Sequence, residues 1–226
     1  MSNKNYFTTL LLAFLLVNSG ISKAQNIYLL LGTYYYAEVG AVIGNQTCLK
    51  GAANLIVYNK YVLSAGYYMC SRATPNLPDG MAAPLSIGLP SSTYPQQTSN
   101  MMGLMFGKAY FTKSRKSRLL LRGGICFGKV STPGYFSTSS GSAYPFTAES
   151  TGPIKTFTSN KVDYTYSVNT ENASGFLFHP TYEFPFAEYF GVSTGIFCMA
   201  TRNSSTIGID VNLMLGKCRH KISYGD

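Results

Sequence analysis

Beyond residues 1–24 the chain has no apolar run approaching the roughly 18 residues that a membrane helix needs, which excludes a helical membrane protein. It also lacks any sustained helical period, so an all-helical domain is excluded as well. Histidine is scarce: His179 and His220 are the only two, and neither stands at metal-ligand spacing from the other or from a cysteine. No metal or other cofactor is therefore expected. The five cysteines, Cys48, Cys70, Cys126, Cys198 and Cys218, are odd in number and contain no C-x-x-C pair, so no redox or zinc motif follows. They read as isolated small apolar side chains, although Cys48 and Cys70 fall where neighbouring strand ends would permit a bridge. Gly123-Gly124 is not followed by a helical pattern, which removes a phosphate-binding loop.

Acidic residues are few, 9 against 18 Lys+Arg. The basic residues are scattered except at Lys113-Ser114-Arg115-Lys116-Ser117-Arg118, which reads as a solvated turn. What the chain does have at its start is an export signal. Lys4 supplies a positive region, Leu10–Val17 an apolar one, and Ser22-Lys23-Ala24 a small-residue cleavage site, which predicts cleavage between Ala24 and Gln25. Removing residues 1–24 takes away Lys4 and Lys23 and leaves a formal charge of +7. Export makes nucleic acid an unexpected partner. Residues 25–226 then form one domain of ordinary size.

That domain carries 18 Tyr, 14 Phe, 22 Gly and no Trp, arranged in short alternating segments, which is a β signature. In 207–215 the odd positions Ile207, Ile209, Val211, Leu213 and Leu215 are aliphatic, and the even ones are Gly208, Asp210, Asn212 and Met214. The same split runs through 118–128, 176–184 and 191–201. Weaker versions occupy 34–43, 51–58, 61–70 and 101–111. The expectation is an all-β fold: an eight-stranded antiparallel up-and-down transmembrane β-barrel behind a cleaved signal peptide. Short turns fall at Asn59-Lys60, 112–117 and 185–187, and the opposite connections at 44–50, 71–99, 131–172 and 202–205. Two of these, about 71–99 and 131–172, are long and rich in Ser, Thr, Gly, Pro and Asn. Short periplasmic turns with longer extracellular loops are the asymmetry of outer-membrane barrels.

A soluble sandwich also alternates, so the distribution of charge decides. The small and polar face holds Glu38, Asn54, Arg118, Arg122, His179, Glu183, Asp210 and Asn212. Closing the strands turns that face toward a narrow lumen, where Arg118 or Arg122 can pair with Glu183, and turns the aliphatic face toward lipid. Two pentads, Leu104–Lys108 and Leu213–Lys217, place a lysine just past the aliphatic stripe, where Lys108 and Lys217 can lay their stems along it and reach the headgroups. Tyr58, Tyr61, Tyr110, Phe111, Phe184 and Phe190 gather near the short turns, as an interface girdle would.

Phe178-His-Pro-Thr-Tyr-Glu183, Gly191-Val-Ser-Thr-Gly195, Asn203-Ser-Ser, Gly208–Lys217, Gly103–Lys108 and Arg122–Lys129 together resemble small outer-membrane β-barrel proteins of the porin-like kind found in Bacteroidetes. The resemblance covers about 34–219 and is densest from about 100 onward. It implies an eight-stranded barrel in the outer membrane and implies no reaction, since the family is itself largely without assigned activity. Barrels of this kind often end on an aromatic residue, whereas here His220–Asp226 continues past the last strand.

Four roles follow. The first is a side-chain-filled barrel with a structural or surface-interaction role, its partners being outer-membrane lipid, the barrel assembly machinery and an extracellular ligand. The second is a small pore, disfavoured because eight strands leave an interior only wide enough for side chains. The third is a lipid A-modifying enzyme built on Ser193, His179 and Glu183. Residues four apart on a strand are about 13 Å apart, too far for a His–Glu bond, so no catalytic residue is expected. The fourth is a secreted β-sandwich.

Overall fold

The computed structural model describes residues 33–74, 95–113, 116–138, 143–144, 154–159 and 162–219. The cleavage site at Ala24 and Gln25 lies outside them. Among the described residues every element is a strand. They are β1 (Tyr34–Gly44), β2 (Thr47–Val57), β3 (Tyr61–Ala73), β4 (Gln96–Phe111), β5 (Arg118–Thr138), β6 (Ala143–Tyr144), β7 (Ile154–Ser159), β8 (Val162–Phe184), β9 (Phe190–Thr201) and β10 (Ser205–Lys217). Eight of them form a closed antiparallel ring: β1 to β5 pair in chain order, β5 pairs with β8, β8 to β10 follow, and β10 returns to β1. The closure runs from Tyr35 opposite Lys217 to Gly44 opposite Gly208, so the ring has no free edge along that seam. A sandwich of two stacked sheets is ruled out by this topology.

Closure explains the alternation. Along β10 the outward residues Ile207, Ile209, Val211, Leu213 and Leu215 are exposed, whereas Thr206, Asp210, Asn212 and Met214 are buried. Successive strand residues point to opposite faces, so one parity fills the ring and the other coats it. Neighbouring strands crowd one another where glycine faces inward. At Gly124 a Cβ would sit 1.9 Å from the Leu104 carbonyl oxygen, so no side chain fits there.

The interior is layered. At the end where β1 begins and β10 finishes, Tyr34, Tyr36, Ile56, Val62, Leu120, Met214 and Cys218 form an apolar cluster. Toward the opposite end, Val42, Cys48, Tyr68, Cys70, Met101, Phe197 and Met199 belong to a second apolar cluster. Between these two lies a charged layer.

Several strands are longer than the alternation predicts. β5 has 21 residues and β8 has 23, and they stay paired from Arg118 opposite Glu183 to Thr138 opposite Tyr164. Much of the connection expected at 131–172 is therefore strand, with an irregularity between Pro133 and Phe136. Likewise β3 reaches Ala73 and β4 begins at Gln96, which trims the loop expected at 71–99. The connection expected at 44–50 shrinks to 45–46, because β2 begins at Thr47. β6 pairs with β5, and β7 with β8, on this overhanging ribbon, making a small four-stranded extension of the wall.

Candidate functional site

The charged layer is assembled by register. Arg122 on β5 stands opposite His179 on β8, Asp210 on β10 opposite Gly195 on β9, and Asn54 on β2 opposite Ser64 on β3. Glycine at 195 and alanine at 52, opposite Glu38, leave room for the long side chains that cross the lumen.

Two residues act as hubs. Arg122 donates from Nη1 to Asn54 Oδ1 at 2.6 Å and to Ser64 Oγ at 3.2 Å, and from Nη2 to Thr181 Oγ1 at 2.6 Å. Its Nη1 also lies 3.6 Å from Glu38 Oε2. Asp210 Oδ2 accepts from Lys50, from His179 Nε2 at 3.0 Å and from Asn212 Nδ2 at 2.6 Å. His179 joins the hubs, because its Nδ1 lies 3.1 Å from Arg122 Nη2. A guanidinium can only donate, so Nδ1 is the acceptor and Nε2 carries the proton that goes to Asp210. Asn212 also donates to Ser193 Oγ at 2.9 Å, and Ser193 donates to Glu38 Oε1 at 3.4 Å.

A second group lies nearer the end where β1 begins and β10 finishes. Arg118 Nε donates to Glu183 Oε2 at 2.5 Å, Arg118 Nη1 to the Cys218 carbonyl at 3.0 Å, and Tyr36 OH to Glu183 Oε1 at 2.5 Å. The guanidinium lies 4.9 Å from the Tyr34 ring centroid and 5.0 Å from that of Tyr36, a desolvated cation–π clamp. Across both groups, Lys50, Arg118 and Arg122 balance Glu38, Glu183 and Asp210, with every side chain essentially inaccessible. Buried charges persist only when paired and hydrogen-bonded, and this set matches one for one.

All seven polar residues singled out from the sequence, Glu38, Arg118, Arg122, His179, Glu183, Asp210 and Asn212, are buried inside the ring. Arg118 takes Glu183, and Arg122 takes Glu38 instead. Lys50, Tyr36, Ser64 and Thr181 complete the network and are not distinguished in the sequence. Ser193 does not meet His179: its hydroxyl lies between Asn212 and Glu38, and both ring nitrogens of His179 are engaged elsewhere. The Ser/His/Glu grouping thus has no nucleophile–base contact. Lys108 is exposed and Lys217 half-buried, both at the end with the short turns. Among the described residues no three His, Cys, Asp or Glu side chains gather as metal ligands would.

The cysteines need a correction. Cys48 and Cys70 are bridged across β2 and β3, whereas Cys126, Cys198 and Cys218 are free. The pair is directly opposed in the register, so two inward thiols meet in the apolar layer. Cys218 folds into the terminal cluster after β10, and burial there pushes its thiol up to about 12. In the turn before β9, the neighbouring Glu188 carboxylate raises the Tyr189 phenol above its usual value.

The bridge closes a separation of 22 residues, which corresponds to about 3 kcal/mol of restricted unfolded-state freedom. A Cys48→Ser/Cys70→Ser double variant is expected to close the same ring, because the β2–β3 register is held by the whole ladder. Its urea midpoint should fall by an amount equivalent to about 2–3 kcal/mol. An unchanged midpoint would show that the bridge does not constrain the unfolded chain.

No protein-family model matches the chain, and no curated protein matches it either. Among solved structures it is similar to Ail, the attachment invasion locus protein of Yersinia pestis, at 8% identity and a TM-score of 0.40, covering 81% of this chain and 93% of Ail. The structure of Ail in complex with the heparin analogue sucrose octasulfate matches at 9% identity and the same TM-score, covering 94% of that chain. Likeness at that level is no basis for carrying a role across. By its own strand order the molecule is an eight-stranded, antiparallel, up-and-down closed β-barrel with a charged, filled interior.

Proposed function

We propose that this chain is an outer-membrane β-barrel, delivered by a signal peptide cleaved between Ala24 and Gln25. Its lumen is occupied by its own side chains, and its role is structural or one of surface interaction through the connections at the end opposite the short turns. The observation that carries this reading is inverted polarity. Six ions lie buried in the interior while Ile43, Phe106, Ile125, Phe176, Ile196, Ile209 and Val211 are more than half exposed on the outside. Water-soluble monomers rarely expose contiguous apolar surface on this scale, whereas a bilayer requires it.

Supporting features agree. On β4 the outward residues between Asn100 and Lys108 are Met102, Leu104 and Phe106, an apolar stretch that is polar at each end. Tyr35, Tyr58, Tyr61, Tyr110, Phe184, Phe186, Tyr189 and Phe190 are exposed around the short-turn end, at the level where aromatic residues meet headgroups. The β5–β8 ribbon overhangs the opposite end by roughly ten residues per strand, about 30 Å, which suits display beyond a bilayer. Its partners on this reading are outer-membrane lipid, the assembly machinery and an extracellular ligand. A conducting role is not proposed, since two apolar layers and an ion-paired layer share the lumen. Nor is a catalytic one.

Expression in a Gram-negative host tests this directly. The protein should remain in the outer-membrane fraction after a carbonate wash, begin at Gln25, and migrate faster in unheated than in heated gel samples. Purified protein in planar bilayers should give no steady conductance steps. Recovery in the soluble fraction would overturn the membrane reading, and ohmic steps would overturn the filled lumen.

A further inference from the structure

The short-turn end carries far more positive than negative charge. Lys60 lies in the turn before β3, Lys108 near the end of β4, Lys113 and Lys116 in the turn before β5, and Lys217 and Arg219 at and just past the end of β10. Among the described residues, the only acid at that end not turned into the lumen is Glu188. Six cations against one acid repel one another unless something anionic sits among them.

Two of these cations are mounted on an apolar bed. The β3–β4 register places Lys108 directly opposite Tyr61, and the Ala109 amide donates to the Lys60 carbonyl at 2.8 Å, fixing the turn beside β4. Lys60 Nζ lies 5.4 Å from the Tyr61 ring centroid. Tyr61 stacks on Phe106 with centroids 6.2 Å apart, and Phe106 and Leu63 are more than half exposed. From the rim inward, this one patch of wall therefore offers two ammonium groups, then an aromatic shelf, then aliphatic surface.

We propose that this patch binds an anionic phospholipid of the leaflet at the short-turn end, its phosphate between Lys60 and Lys108 and an acyl chain along Tyr61, Phe106 and Leu63. The wider collar adds a general preference for anionic lipid. The proposal rests on the membrane reading above and goes beyond it by naming the lipid class and the place. Charge alone would suit a free phosphate, but the apolar shelf below the lysines is continuous with the belt and suits a headgroup attached to chains. Each lysine near an anionic surface contributes about a five-fold preference. The two together should give about 25-fold, declining with ionic strength.

The test uses full-length folded protein equilibrated in detergent with equal amounts of phosphatidylglycerol and phosphatidylcholine, with bound lipid read by native mass spectrometry. Wild type is expected to retain at least ten-fold more phosphatidylglycerol. Lys60→Gln/Lys108→Gln should lose most of that excess, Lys60→Arg/Lys108→Arg should keep it, and Lys129→Gln/Arg202→Gln, at the opposite end, should leave it unchanged. Equal retention of the two lipids, survival of the excess in the Gln pair, or complete displacement by millimolar inorganic phosphate would each overturn the proposal. Reconstitution into pure phosphatidylcholine vesicles separates the two readings. Insertion without a lipid preference removes the binding patch alone, and failure of wild type to insert removes the membrane reading and the patch with it.

Discussion

Replacing Arg122 with methionine is expected to destabilise the folded protein by about 3–5 kcal/mol, the range for removing one partner of a buried ion pair. The substitution fills a similar volume, so the effect is electrostatic rather than a cavity. Without the guanidinium, Glu38 loses its ion-pair partner and keeps the Ser193 hydroxyl at 3.4 Å, and Asn54 Oδ1, Thr181 Oγ1 and His179 Nδ1 each lose a donor. The interior is left with Lys50 and Arg118 against three carboxylates. Water cannot compensate readily, because apolar layers lie on both sides. Adding Glu38→Gln to Arg122→Met should recover part of the loss by removing the orphaned charge, giving a positive coupling in a double-mutant cycle. Urea unfolding followed by far-ultraviolet circular dichroism reads both. A single-variant loss below about 1 kcal/mol would mean that Arg122 is replaceable and the layer is not cooperative.

The second large effect is expected on the opposite face. Val211 is 63% exposed and lies near the middle of the outward stripe of β10, opposite Ala41 on β1 and Thr194 on β9. On a water-facing surface, Val211→Arg would change stability by no more than about 0.5 kcal/mol. If hydrocarbon surrounds it, the cost is about 2–4 kcal/mol at the bilayer midplane and falls toward the rims. The same substitution at Leu215, close to Lys217, should cost about 1 kcal/mol or less. Refolding equilibria in lipid vesicles across urea give these values, and the gradient from Val211 to Leu215 is as informative as either number. A flat, near-zero profile along the strand would contradict lipid as the solvent for this surface.

The parts of the fold that the sequence discloses are those where the two faces meet different solvents. In β9 and β10 one face meets the apolar exterior and the other a polar interior, so the alternation of Val192, Ile196, Ile207 and Ile209 with Ser193, Asp210 and Asn212 is plain. Further along β5 and β8 burial loses its strict alternation, with Pro133 and Gly134 buried in succession and Tyr166 and Ser167 likewise, so Lys129–Thr138 and Val162–Ala173 read as loop from the sequence. Lys50 is obscured for a related reason. It follows the polar cluster Asn45-Gln46-Thr47, which reads as a long connection, yet the chain turns within two residues and sends Lys50 into the lumen beside Asp210.

The disulfide shows what one residue of register decides. A two-residue turn at Asn59-Lys60 would place Cys48 opposite Ser71. The actual turn takes in Tyr58 as well, with Tyr58 and Asn59 both left-handed at φ of 55° and 53°, and Cys48 meets Cys70. A slip of one residue exchanges inward for outward side chains along a strand, so the sequence permits the Cys48–Cys70 bridge and the turn decides it. In the charged layer, by contrast, the identity of the members is largely local information. Their partners depend on which strands become neighbours across the lumen, and this is why Arg122 finds Glu38 rather than Glu183.

Paramagnetic lipid relaxation on methyl-labelled protein in nanodiscs tests the central claim most directly. With a nitroxide carried deep in the acyl chains, the methyl signals of Ile43, Ile125, Ile196 and Ile209 should broaden strongly, while those of Ile56, Val62 and Leu120 in the lumen should be broadened far less. If the Ile209 and Ile196 methyls instead keep their intensity with lipid-borne nitroxide and are broadened by a water-soluble gadolinium chelate, the aliphatic wall faces water and the account is wrong.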